Sequence, residues 1–152
     1  MPLIVPVTEW SASTFDPLVR ESQQEGFLFL GRLRDEWISG ENQFSRKGEG
    51  FFAAFAGQLL VAVGGLNRES DSVGRLRRFY VKGDARRRGF GRLLAEHILG
   101  FAAAHYTAAI LRTDTETADR FYVSLGFRRL DSGDGSTHRI ELKNRAADKQ
   151  PR

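Results

Sequence analysis

The chain contains no cysteine, which excludes disulfides, thiolate metal sites and cysteine nucleophiles together. Its three histidines, His97, His105 and His138, have no other metal-ligand types at a recognised spacing and read as isolated surface or edge residues. No long apolar run and no signal-type segment is present, so a soluble, cytoplasmic protein with no membrane partner is expected. Internal repeats and dividing linkers are absent too. What remains is 152 residues, 41% apolar and 28% charged, which suits one ordinary globular domain over residues 1–143. From Asn144 the tail is polar, and disorder is expected there.

Charge is unevenly placed. The formal net charge is +4, yet residues 68–92 hold nine basic side chains against three acids. That stretch carries +6 and the rest of the chain −2. A nucleic-acid binder would spread its basic residues over a face or a tail, so nucleic acid is not the expected partner. A concentrated excess beside one turn suits a small polyanion.

The turn itself is legible. Residues 75–81 read as a strand, and from Gly89 an apolar 3.6-residue pattern begins with Phe90, Leu93, Leu94 and Ile98. The first amides of that helix have no intrahelical partners and carry the positive end of its dipole, so they suit an anion. Gly89 and Gly91 remove side chains where a phosphate would approach the backbone. Arg86, Arg87, Arg88 and Arg92 add charge-assisted donors nearby. The spacing Arg86-x-x-Gly89-x-Gly91 is neither the dinucleotide fingerprint nor a P-loop.

Around this turn the chain reads as alternating elements. Residues 3–7 suggest an edge strand, and Asp16-Pro17 reads as a helix start with Asp as N-cap. A second helix follows with Leu30, Leu33 and Trp37 on one stripe. Residues 51–55 and 59–66 form an apolar hairpin covered on both faces. After the helix from Gly89 come a strand over 108–112, a helix ending at Gly126, and a final hairpin of 127–130 with 138–143. Period-two alternation puts Arg75 and Arg77 on the same strand face as Phe79 and Val81.

Arg86-x-x-Gly89-x-Gly91 resembles the (Arg/Gln)-x-x-Gly-x-(Gly/Ala) motif of the GNAT superfamily of acyl-CoA-dependent N-acyltransferases. Thr115-x-x-Ala118-x-x-Phe121-Tyr122-x-x-Leu125-Gly126-Phe127 resembles the pattern Asn-x-x-Ala-x-x-Phe-Tyr-x-x-Leu-Gly-Phe of the same family. Taken alone, Phe121, Leu125 and Phe127 are explained by core packing; it is the order of the two motifs that matters. The resemblance implies a single-domain α/β (α+β) fold with a mixed, mostly antiparallel central sheet flanked by helices. It implies acetyl-CoA as cosubstrate, its pyrophosphate wrapped by the turn from Arg86 through Phe90 to Arg92, with Thr115 and Tyr122 also at the cofactor. It further implies that the strand before the turn splays from the next and pairs with the pantetheine arm through Phe79, Tyr80 and Val81. No metal is implied.

By the same resemblance Tyr122 protonates the departing thiolate; otherwise its ring packs on the cofactor. The implied partner is a primary amine, which could be a polyamine, aminoglycoside, amino acid, peptide N-terminus or lysine, and a homodimer is compatible. Two departures matter. Thr115 stands where the family has Asn, and Arg75 and Arg77 occupy the strand where many members place a catalytic Glu. No general base is legible; Asp114 and Glu36 are weak candidates. The rival reading is a non-catalytic CoA-binding regulatory module.

Overall fold

Apolar side chains on both sides of the 51–55 and 59–66 runs require cover on two faces. The computed structural model, which describes residues 2–131 and 133–142, supplies it. Seven strands form one sheet in the order β1 (Leu3–Pro6), β2 (Gly50–Ala56), β3 (Leu59–Arg68), β4 (Val73–Val81), β5 (Ala108–Leu111), β7 (His138–Glu141) and β6 (Arg128–Arg129). All neighbours are antiparallel except β4 and β5. The expected mixed, mostly antiparallel sheet is therefore present. The tail from Asn144 lies outside the described residues.

Helices α1 (Ala12–Gln24) and α2 (Phe29–Ser39) cover one face, and α3 (Phe90–Ala103) and α4 (Glu116–Ser124) the other. Alternate residues of β2 feed the two cores: Phe51 and Ala53 pack with Leu30, Leu33 and Trp37, while Phe52 and Ala54 pack with Leu94 and Ile98. Each fully buried Leu or Ile contributes about 2 kcal/mol, so both layers stabilise the sheet between them.

One helix boundary differs from the sequence expectation. α1 starts a turn before Asp16-Pro17, with Ser11 as N-cap, and Pro17 lies inside it. Asp16 instead accepts a hydrogen bond from Trp10 Nε1 at 3.1 Å. The missing N–H of Pro17 falls in the second turn, where it removes one intrahelical bond without ending the helix.

The decisive irregularity is in β4. Val63 pairs with Tyr80 and Gly65 with Arg77, so Gly64 opposes two residues, Arg78 and Phe79. This is a β-bulge, and Arg78 takes a left-handed φ of 58° within it. Gly64 makes room for it, since a Cβ there would lie 2.7 Å from Phe79 Cδ2. The extra residue inverts the alternation. Leu76 packs in the α3/α4 core, whereas Tyr80 packs in the α1/α2 core. Arg75 and Arg77 therefore lie on the α1/α2 face, and Phe79 and Val81 on the opposite one, which corrects the expectation that the four share a face.

Candidate functional site

Beyond the bulge, β4 parts from its neighbour. β5 pairs with β4 only at Val73, Gly74 and Arg75, although β4 runs on to Val81. The β5-facing backbone groups of β4 past Arg75 thus have no strand partner. A wedge opens there, flanked by Phe79 on one strand and leading up to the turn that starts α3.

That turn leaves backbone amides without partners. A 3₁₀ turn over Gly83–Ala85 leads into Arg86, then Arg87 at φ 65° and Gly89 at φ 87°, both left-handed. Such alternation points successive amides into a common concavity. Gly89 is the N-cap of α3, and no side chain caps the helix. The first intrahelical bond runs from Leu93 N–H to Gly89 O at 3.1 Å, leaving the amides of Phe90, Gly91 and Arg92 ahead of it. A Cβ on Gly89 would meet nothing within 4 Å, so the concavity is open where a phosphate would sit. Gly91 has a different reason to be small: a Cβ there would lie 3.1 Å from Val81 Cγ2 and 3.5 Å from Phe121 Cζ. It lets α3 close onto β4 and α4.

The arginines of the turn divide. Arg87 and Arg88 are exposed and make no hydrogen bond or ion pair among the described residues. Arg92 reaches Ser124 Oγ at 3.1 Å, tying α3 to the end of α4. Arg86 is already engaged: Nε donates to Val81 O at 3.0 Å, and Nη1 and Nη2 grip Glu25 at 2.9 and 2.6 Å. Its guanidinium also lies 5.3 Å from the centroid of the Tyr80 ring. The Tyr80 hydroxyl shares its one proton between Glu21, at 2.9 Å, and Glu25, and Gly83 N–H donates to Glu21 at 3.0 Å. Arg86 holds the Glu25 carboxyl below the usual range. Burial works to raise Glu21, but hydrogen bonds from Gly83, Tyr80 and Lys82 outweigh it and leave that carboxyl lowered as well. Glu21 and Glu25 thus clamp α1 to the turn. Their i,i+4 spacing on one helix face was visible in the sequence, but their partner was not.

On the α3/α4 side of the wedge stands Tyr122, buried, with ring centroids 6.2 Å from Phe79 and 5.5 Å from Phe127. Burial pushes its phenol well above the ordinary value. The hydroxyl has no hydrogen-bond partner among the described residues. Thr115 caps α4, accepting from Ala118 N–H at 3.2 Å, and so fixes the helix that presents Tyr122.

His138 is not the surface residue the sequence suggested. It is buried beside Tyr122, with Nδ1 2.8 Å from Thr137 Oγ1 and Nε2 2.7 Å from Asp119. Asp119 also takes both ends of Arg129 at 2.8 and 2.9 Å, which joins α4 to β6 and β7. The Arg129 guanidinium, then His138, holds the Asp119 carboxyl down to about 2. A depressed carboxyl stabilises the fold above its unfolded value of 3.8 and loses that contribution as pH falls towards 2. The stability gap between wild type and Asp119→Asn in thermal melts should shrink as pH falls from about 4 to 2. A gap that persists at pH 2 would mean that the carboxylate's charge does not carry the effect.

The opposite mouth of the wedge, on the α1/α2 face, is lined with charge. Arg75 Nε meets Glu69 at 2.8 Å, Arg78 Nη2 meets Glu36 at 3.1 Å, and Arg77 lies between them in sequence. Glu36, a candidate base from the sequence, is thereby committed to a guanidinium that is 10% exposed. Asp114, the other, is exposed just past β5. Glu36→Gln should destabilise the protein by about 2 kcal/mol, since the amide oxygen keeps a hydrogen bond but leaves Arg78's charge uncompensated. Urea unfolding measures it, and an unchanged midpoint would show that the pair breaks even with water.

The sheet is thus splayed beside an uncapped, glycine-headed helix. The sequence matches the acetyltransferase (GNAT) family over residues 7–127, and the protein belongs to that family. A structure from Exiguobacterium sp. 255-15, provisionally assigned as an acetyltransferase, is 30% identical with a TM-score of 0.84 and 99% coverage of both chains. An acetyltransferase from Streptococcus agalactiae 2603 is 20% identical, TM-score 0.75, over 92% of this chain and 98% of its own. The ribosomal-protein-S18-alanine N-acetyltransferase of Escherichia coli is 18% identical, TM-score 0.65, over 92% of this chain and 90% of its own. These last two speak for the fold alone. No curated protein matches the sequence.

Proposed function

We propose that the protein transfers an acetyl group from acetyl-CoA to a primary amine by direct attack. The observation that carries the reading is the open concavity of left-handed Arg87 and Gly89 at the uncapped head of α3, placed at the end of a strand without a partner on one side. The amides of residues 89–92, with exposed Arg87 and Arg88, would hold the pyrophosphate. The free backbone edge over Phe79, Tyr80 and Val81 would pair with the pantetheine amides. Glu21 and Glu25, by gripping Arg86 and Gly83, keep the turn in register with that edge. The side chain of Arg86 acts on the cofactor only through this clamp.

The amine nitrogen attacks the thioester carbonyl, the C–N bond forms and the C–S bond breaks. The nitrogen's proton leaves to water, because Glu36 is committed to Arg78 and Asp114 stands exposed just past β5. The departing sulfur takes the proton of the Tyr122 hydroxyl, which water then restores. Burial keeps that phenol protonated, as a general acid requires. The test is calorimetric titration with acetyl-CoA followed by an amine screen read by free-thiol release. Binding with amine-dependent thiol release supports the reading, and the absence of binding overturns it.

A further inference from the structure

The three arginines of β4 on the α1/α2 face are not equally balanced. Arg75 and Arg78 each have a carboxylate partner, whereas Arg77 has none within ion-pairing distance among the described residues. Its one hydrogen bond, from Nη1 to Asn67 Oδ1, is 3.4 Å long, and that oxygen already accepts from Asn42 Nδ2 at 2.9 Å. Burial first, then the charge of Arg78, pushes the Arg77 guanidinium below its ordinary value. A cation held partly out of water beside like charges is unfavourable until an anion completes it.

Its position says which anion. Arg77 stands two residues past Arg75, the last β4 residue paired with β5, and two before Phe79. Two strand residues span about 7 Å, so Arg77 sits where the wedge begins to open. The other side of the wedge is occupied by Phe79, Phe121, Tyr122 and Phe127. An acceptor therefore approaches from the α1/α2 face, past Arg77. Resting on the acetyl transfer proposed above, we infer that the acceptor amine carries a carboxylate, as a free amino acid or short peptide does, and that Arg77 binds it. A planar guanidinium takes a carboxylate through two parallel hydrogen bonds. The one unbalanced charge, Arg77, repels a polycationic amine, so spermidine should be a poorer acceptor than an amino acid.

The experiment compares kcat/KM for a panel of amino acids, their carboxamides and spermidine, in wild type, Arg77→Gln and Arg77→Lys. The best amino acid should exceed its carboxamide by roughly 30-fold, the equivalent of a charge-assisted hydrogen bond. A carboxamide's amine is less basic and more often neutral, which biases the comparison against this result. In Arg77→Gln the ratio should collapse to near unity through KM, with partial recovery in Arg77→Lys. Carboxamide or spermidine equal to the acid in wild type, or a ratio unchanged in Arg77→Gln, overturns the inference. Should no amine be acetylated although acetyl-CoA binds, the transfer reading fails by itself. Calorimetric titration of the same amino acids onto the CoA-loaded protein then decides on Arg77. Binding lost in Arg77→Gln upholds the carboxylate site, and no binding to wild type removes it.

Discussion

Gly89→Asp should weaken acetyl-CoA binding by about 10²-fold, whereas Gly89→Asn should cost far less. The backbone at Gly89 is left-handed, φ 87°, and a Cβ there meets nothing within 4 Å. Asn and Asp are the side chains that best tolerate such a φ, so neither variant is a folding mutant by clash. The two differ by one charge, placed among the free amides at the head of α3. Two phosphate charges about 5 Å from a carboxylate, at an intermediate effective dielectric, repel by about 3 kcal/mol, which is the 10²-fold. The carboxylate also satisfies the helix's own positive end and so competes for the same donors. Calorimetry on the three proteins, with melts to confirm folding, separates charge from strain. Equal affinities for the Asp and Asn variants would place the pyrophosphate elsewhere. Gly91 is a poorer probe than its motif position suggests, because a side chain there would press on Val81 before it met any phosphate.

Much of this architecture was legible because local signals dominate it. The helix start at Gly89 and the stripe of Leu30, Leu33 and Trp37 follow from glycine chemistry and from the 3.6 period, and the structure keeps them. The Thr115 cap is local too, but it is one of several polar residues over 114–117 that could have filled that role. The bulge was not legible. One extra residue opposite Gly64 reverses the face of everything after it, and period-two reasoning assumes no such insertion. The Gly64-Gly65 pair in an otherwise apolar strand was the available signal, since strand glycines mark bulges and close approaches. Long-range pairings were hidden for a plainer reason. Glu25 and Arg86 are 61 residues apart, and Asp119 and His138 are 19 apart, so no periodicity connects them.

The bulge also bears on the proposed function. Without it, Phe79 would face α1 and α2, and the aromatic wall that Phe79 forms with Phe121 and Tyr122 would not exist. With it, the backbone between Arg77 and Phe79 changes side at the point where β5 departs. On the proposed reading, acid chemistry would then fall on one face of the sheet and charge recognition on the other. The strain of a left-handed Arg78, and its unpartnered Nε, are carried at that junction, where stored strain and function commonly coincide.

Tyr122→Phe should lower kcat by about 10²-fold with little change in KM for acetyl-CoA. The substitution keeps the ring and its packing on Phe79 and Phe127 and removes a hydroxyl that has no hydrogen-bond partner among the described residues. Stability should therefore change by less than about 0.5 kcal/mol, so a fall in turnover reflects chemistry and not folding. The pH profile gives a second reading. A general acid works only while protonated, and burial raises this phenol above its ordinary value of 10.0. Wild-type kcat should consequently hold up to about pH 10 instead of falling through it. If Tyr122→Phe turns over as fast as wild type, water protonates the thiolate, and the buried phenol is there for its ring. If kcat falls and the solvent isotope effect on it rises, the proton that once came from Tyr122 has become the slow step, which is the outcome the geometry at the wedge leads us to expect.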